Sequence, residues 1–106
     1  MSDPLHTLLR ELRTGLAAMY GDRLKGVYLF GSYARKEADP ESDVDVLVVL
    51  DRVDRYSQEV DTTSPLISRL SLQQGVSVSR VFVSEHEWAE RQTPFLVNVR
   101  EKAIPA

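Results

Sequence analysis

The chain has 106 residues, a formal net charge of −3 at pH 7, an apolar fraction of 42% and a charged fraction of 27%, values that indicate a globular domain rather than a disordered chain. It contains no cysteine, which excludes disulfide scaffolds, thiolate metal sites and cysteine nucleophiles. The acidic balance argues against direct binding of nucleic acid, and no apolar run reaches the roughly 20 residues that cross a bilayer. The first residues also lack the pattern of a signal peptide. We therefore expect a single cytoplasmic domain over residues 1–106.

The first half of the chain predicts two helices and two strands. Leucines recur at helical spacing in the first 20 residues, and Ser2 or Asp3 is expected to cap this helix. The second strand is β-branched and apolar on both faces, so we expect it at the centre of a sheet. In chain order the predicted elements are a helix at 4–20, a strand at 24–30, a short helix at 32–37, a turn at 39–42 and a strand at 43–50.

The second half predicts a long helix, a third strand and two short helices. Pro65 interrupts the helical pattern of residues 54–74, which predicts a kink or two helices, the second capped by Ser64. A strand is expected at 76–83. The spacing of Ser84 and Glu87 is typical of a capping box, and Thr93-Pro94 opens the last helix. This alternation of helices and strands favours an α/β (α+β) fold.

Five polar or small residues indicate a phosphate and metal site. Three of them follow the first strand and two lie at the start of the second. Gly31 directly follows a strand and allows a ligand to approach the backbone. Ser32 opens the predicted short helix, whose free N–H groups would bind phosphate, and Arg35 lies one turn further on. Asp43 and Asp45 alternate on the next strand, so their carboxylates face the same way and repel unless a cation lies between them. Oxygen ligands favour Mg²⁺ or Mn²⁺, and the combination is typical of phosphoryl or nucleotidyl transfer.

The same residues carry a resemblance to a known family. Gly31-Ser32, the ten residues 33–42 and Asp43-Val44-Asp45 match the signature of the DNA polymerase β-like nucleotidyltransferases, and the chain resembles the minimal nucleotidyltransferases of prokaryotes over most of its length. The resemblance implies a small mixed β-sheet flanked by helices. It implies that Gly31 and Ser32 hold the phosphates of ATP and that Asp43 and Asp45 hold the catalytic metals.

The resemblance also implies a protein partner. Many such proteins are paired with a small helical HEPN-type protein in a toxin–antitoxin system, where the nucleotidyltransferase is the antitoxin and transfers AMP from ATP to a tyrosine of the toxin. The family usually places a third carboxylate on a later strand. The matching strand, residues 76–83, contains neither Asp nor Glu. Ser77 or Ser79 takes that place, and Ser79 is favoured as the residue that faces Asp43 and Asp45. Glu85 is better explained as a first-turn helix residue.

Two functions therefore stay open, and an Mg²⁺-dependent transferase is favoured over a non-catalytic module that binds nucleotide and partner. Transfer to a small molecule is disfavoured, because the chain has no length for an acceptor domain. The sequence leaves the preferred nucleotide, the acceptor and a homo-oligomeric state open. Trp88 and Phe95 are expected in the core rather than against a ligand.

Overall fold

The computed structural model describes residues 3–39 and 41–106, and within them the chain forms four helices and four strands. The predicted cap at Ser2 and the Pro40 position of the predicted turn lie outside the described residues. In chain order the elements are α1 (Asp3–Tyr20), a 3-10 turn (Gly21–Arg23), β1 (Leu24–Phe30), β2 (Val44–Leu50), α2 (Tyr56–Gln74), β3 (Val78–Ser84), α3 (Glu85–Glu90), α4 (Pro94–Lys102) and β4 (Ile104–Pro105).

The four strands form one mixed sheet in the order β3-β2-β1-β4. β2 runs parallel to β3 and antiparallel to β1, and β4 pairs antiparallel with the outer edge of β1. The expected mixed sheet flanked by helices is confirmed. β4 was not predicted, because its two residues are too short to show a period of two.

The central strand β2 is buried on both faces, as its sequence predicts. Val44, Val46 and Val48 pack with residues of α1 and α2 in the larger apolar cluster. Leu47 and Val49 point the other way and pack with α4 in a second cluster. Because side chains alternate along a strand, the face of β2 that carries Asp45 is the face covered by α4.

Pro65 lies inside α2, which runs from Tyr56 to Gln74 as one helix, so the predicted division into two helices is wrong. Ser64 is not an N-cap; its hydroxyl donates to the carbonyl of Val60 at 2.8 Å, one turn earlier. Arg80 of β3 donates to that same carbonyl at 2.8 Å and to the Ser64 hydroxyl at 3.0 Å. These tertiary hydrogen bonds hold the turn that the proline would otherwise weaken.

A buried polar contact joins α1 to α2 beside the ends of the sheet where β1 starts and β2 finishes. The Tyr20 hydroxyl donates to Oε1 of Glu59 at 2.9 Å, and Glu59 is only 6% exposed. Arg23 places a guanidinium nitrogen 3.6 Å from the other carboxylate oxygen. Burial and the hydrogen bond to Glu59 raise the pKa of Tyr20 well above its ordinary value, so the hydroxyl keeps the proton that this carboxylate accepts.

None of the helices within residues 3–39 and 41–106 combines the length and the apolar character that a membrane span requires.

Candidate functional site

The residues that sequence analysis selected meet at one end of the sheet, where β1 ends and β2 begins. Asp45 on β2 pairs with Phe30 on β1, and Gly31 follows Phe30 directly. Asp43 lies just before β2 and is exposed, whereas Asp45 is partly buried. Two adjacent antiparallel strands thus bring the glycine and the carboxylates together, although twelve to fourteen positions separate them in sequence.

Gly31 holds its backbone directly against the Asp45 carboxylate. Its φ is +75°, a value that favours glycine. A Cβ at this position would overlap the Asp45 carboxylate oxygen and would lie 3.1 Å from its Cγ. The Asp45 carboxylate is therefore the group that lies against the Gly31 backbone, and the approach of a ligand to this backbone stays a prediction.

The predicted short helix at residues 32–37 is wrong, because the chain makes only one helical turn there. The Arg35 N–H donates to the carbonyl of Gly31 at 3.1 Å, which completes the turn. Lys36 then adopts a left-handed conformation with φ +59°. A left-handed residue with backbone bonds reaching back across it is a common helix ending, and here it comes immediately after the first turn.

The turn nevertheless leaves three successive backbone N–H groups without an acceptor in the described parts of the protein. Among the described residues, the backbone N–H groups of Ser32, Tyr33 and Ala34 donate to no other group of the protein. Successive free N–H groups in a tight turn form a concave anion site even without a following helix. Arg35 belongs to the same turn, and its Nε lies 3.2 Å from the Glu37 carboxylate.

The two aspartates create an electrostatic cost that a cation would relieve. Burial is the main cause of the raised pKa of Asp45, and the charge of Asp43 adds to it, while Arg35 acts in the opposite direction. The donor set therefore fits a hard divalent cation. Within the described parts of the chain, no group of three or more His, Asp or Glu side chains is placed to hold a metal, so the remaining ligands of such an ion would come from substrate or water.

Ser79 stands where a third carboxylate would face the first two. It pairs with Asp45 across the parallel strands β2 and β3, so both side chains lie on the same face of the sheet. The carbonyl of Ser77 accepts the Val44 N–H at 2.9 Å, which places Ser77 level with Asp43. Glu85 begins α3 beyond the other end of β3, about 20 Å of strand away from Ser79. The structure thus excludes Glu85 as a substitute ligand.

α4 forms a wall of the site that sequence analysis did not identify. A cavity of about 600 Å³ is lined by Gly31, Ser32, Arg35 and Asp45 and, from α4, by Phe95, Asn98 and Lys102. Asn98 and Lys102 were not selected at all. The available signal was their helical spacing, because residues 95, 98 and 102 share one face of a helix.

Phe95 and Trp88 differ in their surroundings, although both were expected in the core. Phe95 is 45% exposed, and its ring packs edge-on against Phe30 with centroids 5.6 Å apart. The expectation is wrong for Phe95, because the ring lies at the cavity rim. The ring of Trp88 packs on that of Tyr28, with centroids 4.8 Å apart, beside the second apolar cluster, as expected.

Comparison with known proteins identifies the family to which the chain is similar. The family model described as the nucleotidyltransferase domain matches residues 9–105. A protein of Methanocaldococcus jannaschii, provisionally named protein adenylyltransferase MJ0604, is 35% identical over 77 residues, which cover 73% of this chain and 71% of that protein.

Solved structures agree with the family model. A structure described as that of a minimal nucleotidyltransferase is 29% identical, with a TM-score of 0.59 over 99% of this chain and 97% of that one. A toxin–antitoxin crystal structure with AMP-PNP shares the fold, with a TM-score of 0.60, 21% identity and coverage of 89% of this chain and 68% of that one. Since the family match spans nearly the whole sequence, the chain belongs to the nucleotidyltransferase domain family, which is a family of transferases.

Proposed function

We propose that the chain transfers AMP from ATP to a hydroxyl of a protein partner in the presence of Mg²⁺. We propose further that this partner is a small helical HEPN-type toxin, for which the chain is the antitoxin. The observation that carries the proposal is the contact between the Gly31 backbone and the Asp45 carboxylate, which line one cavity together with Ser32 and Arg35. The protein adenylyltransferase name of MJ0604 supports the acceptor class, and the shared fold with a toxin–antitoxin complex supports the partner class.

Each site residue has a role in this proposal. The N–H groups of the turn and the Ser32 hydroxyl bind the phosphates, and Arg35 adds a positive charge at the same wall. Asp43 and Asp45 hold Mg²⁺. When bound there, the ion neutralises triphosphate charge and polarises the phosphoryl group. In the transfer, the partner's hydroxyl oxygen bonds to the α-phosphorus and its proton passes to water. The bond between the α-phosphorus and the oxygen that bridges it to the β-phosphorus breaks, and pyrophosphate leaves with the electron pair of that bond.

A second candidate function is a non-catalytic module that binds nucleotide and partner. The observation in its favour is Ser79, because a serine hydroxyl in register with Asp45 is a weaker Mg²⁺ ligand and a weaker base than a carboxylate. The two candidates share the same nucleotide site. They differ only in turnover.

The decisive experiment first identifies whether a small helical HEPN-type protein is encoded beside this chain, and then follows label from α-³²P-ATP onto that protein. We expect Mg²⁺-dependent labelling of the partner by the wild-type protein, and none with the double variant Asp43→Asn, Asp45→Asn. Nucleotide and partner binding without any label transfer would favour the non-catalytic module. Nucleotide binding of equal affinity with and without metal would contradict the assignment of the two aspartates.

A further inference from the structure

The cavity carries two side chains of α4 that the proposed function does not use. Phe95 and Lys102 lie on one face of this helix, and both line the cavity opposite the turn and the carboxylate of Asp45. Seven residues separate them, which corresponds to about 10 Å along a helix. An extended nucleoside triphosphate places its base and its terminal phosphates a comparable distance apart.

Lys102 lines the cavity together with Gly31 and Ser32 of the turn. β4 runs antiparallel to β1 with Ile104 opposite Leu29. Lys102 lies two residues before Ile104 and Gly31 lies two residues after Leu29, so the chain brings the lysine level with the anion-binding turn. Lys102 is exposed and forms an ion pair with no carboxylate in the part of the chain that the structure describes. Its ammonium group is therefore available to a phosphate.

Phe95 offers the aromatic surface that a base requires. Its ring contacts Phe30 through an edge-to-face arrangement with an interplanar angle of 82°. That contact holds the ring in place while 45% of the residue stays accessible. A held aromatic ring at the rim of a polar cavity is suited to stacking on a nucleobase, and stacking of this kind accepts any base.

We propose that α4 is the nucleotide-recognition wall of this site, where Lys102 binds the phosphates and Phe95 stacks on the base. This inference rests on the proposed function, since it takes a nucleoside triphosphate as the ligand of the cavity. A lysine in the last turn of a helix also stabilises the helix through its dipole. Ligand binding therefore has to be measured separately from stability.

The test uses isothermal titration of the full chain with two probes, ATP and inorganic tripolyphosphate, each with Mg²⁺. Lys102→Met should weaken both ligands about tenfold or more, because each loses a charged hydrogen bond. Phe95→Leu should weaken ATP about fivefold or more and leave tripolyphosphate unchanged, because only ATP carries a base. Phe95→Tyr, which keeps an aromatic ring, should bind ATP with the affinity of the wild type.

Two variants away from the cavity serve as matched controls. Lys25→Met removes an exposed lysine near the opposite end of β1, and Leu72→Ala removes apolar surface from a residue that is 85% exposed. Neither should change the affinity for either probe. Thermal melts of all variants identify any loss of affinity that comes from unfolding.

The outcomes separate this inference from the proposed function. ATP binding by the wild type that is unchanged in both Lys102→Met and Phe95→Leu would overturn the α4 wall and leave the nucleotide site intact. Weakening of both probes by Phe95→Leu would also overturn it, because a stacking role requires selective loss of ATP. Absence of any ATP binding by the wild type would refute the proposed function itself.

Discussion

Replacing Gly31 by alanine tests the contact on which the site depends. At φ +75° the left-handed conformation of an alanine should lower the free energy of unfolding by about 1–2 kcal/mol. Its Cβ would also occupy the space of the Asp45 carboxylate oxygen and would lie 3.1 Å from Cγ and 3.3 Å from the Asp45 Cβ. The carboxylate is able to rotate away, so the extra loss of stability should be small. Rotation nevertheless removes a metal ligand, and we expect Mg²⁺-dependent ATP affinity to fall about tenfold or more.

Gly75 provides a matched control, because it has a similar φ of +66° and nothing lies within 4 Å of an added Cβ. Urea unfolding should show losses of about 1–2 kcal/mol for both Gly31→Ala and Gly75→Ala. Calorimetric titration with ATP and Mg²⁺ should show lower affinity for Gly31→Ala alone. Wild-type ATP affinity in Gly31→Ala, with the expected loss of stability, would refute the reasoning that the bare glycine backbone is what positions Asp45.

Three further changes test other parts of the structure. Ser32→Ala should lower ATP affinity about tenfold through the loss of a hydrogen bond to a charged group; unchanged affinity with a lower melting temperature would make the hydroxyl purely structural. Ser79→Asp should raise the rate of label transfer to the partner, since its register places a third carboxylate beside Asp45, and an unchanged rate would show that two carboxylates suffice. Tyr20→Phe should lower the free energy of unfolding by about 1–3 kcal/mol, because buried Glu59 loses a hydrogen bond; equal stability in urea would contradict this. Because folding raises the pKa of Tyr20, this tyrosine's contribution should be fully present below about pH 10 and should fall progressively as the pH rises from there towards the pKa of the folded state, a loss that the phenylalanine variant should not show.

Local signals were sufficient for most of the fold. Apolar periodicity located α1 and the three long strands, and the Ser84–Glu87 spacing identified the capping box, in which the Ser84 hydroxyl accepts the Glu87 N–H. Two of the wrong predictions, the division of α2 at Pro65 and the short helix at residues 32–37, arose where a backbone rule was overridden by tertiary contacts or by an unexpected backbone conformation. Arg80 hydrogen-bonds the turn before Pro65, and Lys36 accepts positive φ and ends the Ser32 turn early. Neither the hydrogen bonds of Arg80 nor the positive φ of Lys36 can be predicted from the neighbouring residues in the sequence.

Some residues of the candidate site could likewise be predicted from the sequence, whereas others were identified only by the tertiary structure. The Gly31-Ser32 and Asp43-x-Asp45 motifs were readable because two adjacent strands and one connection carry them, so their spacing in sequence constrains their spacing in space. The sequence by itself also determined that the matching strand lacks a third carboxylate. The tertiary structure confirmed the expectation that Ser79 rather than Ser77 lies beside Asp45, and only the structure could do so, because register depends on how β2 and β3 pair. Only the tertiary structure brought Phe95 and Lys102 to the cavity. The packing of α4 on the face of the sheet that carries Asp45 joins residues at least 50 positions apart in sequence, a separation over which the order of residue types carries no geometric information.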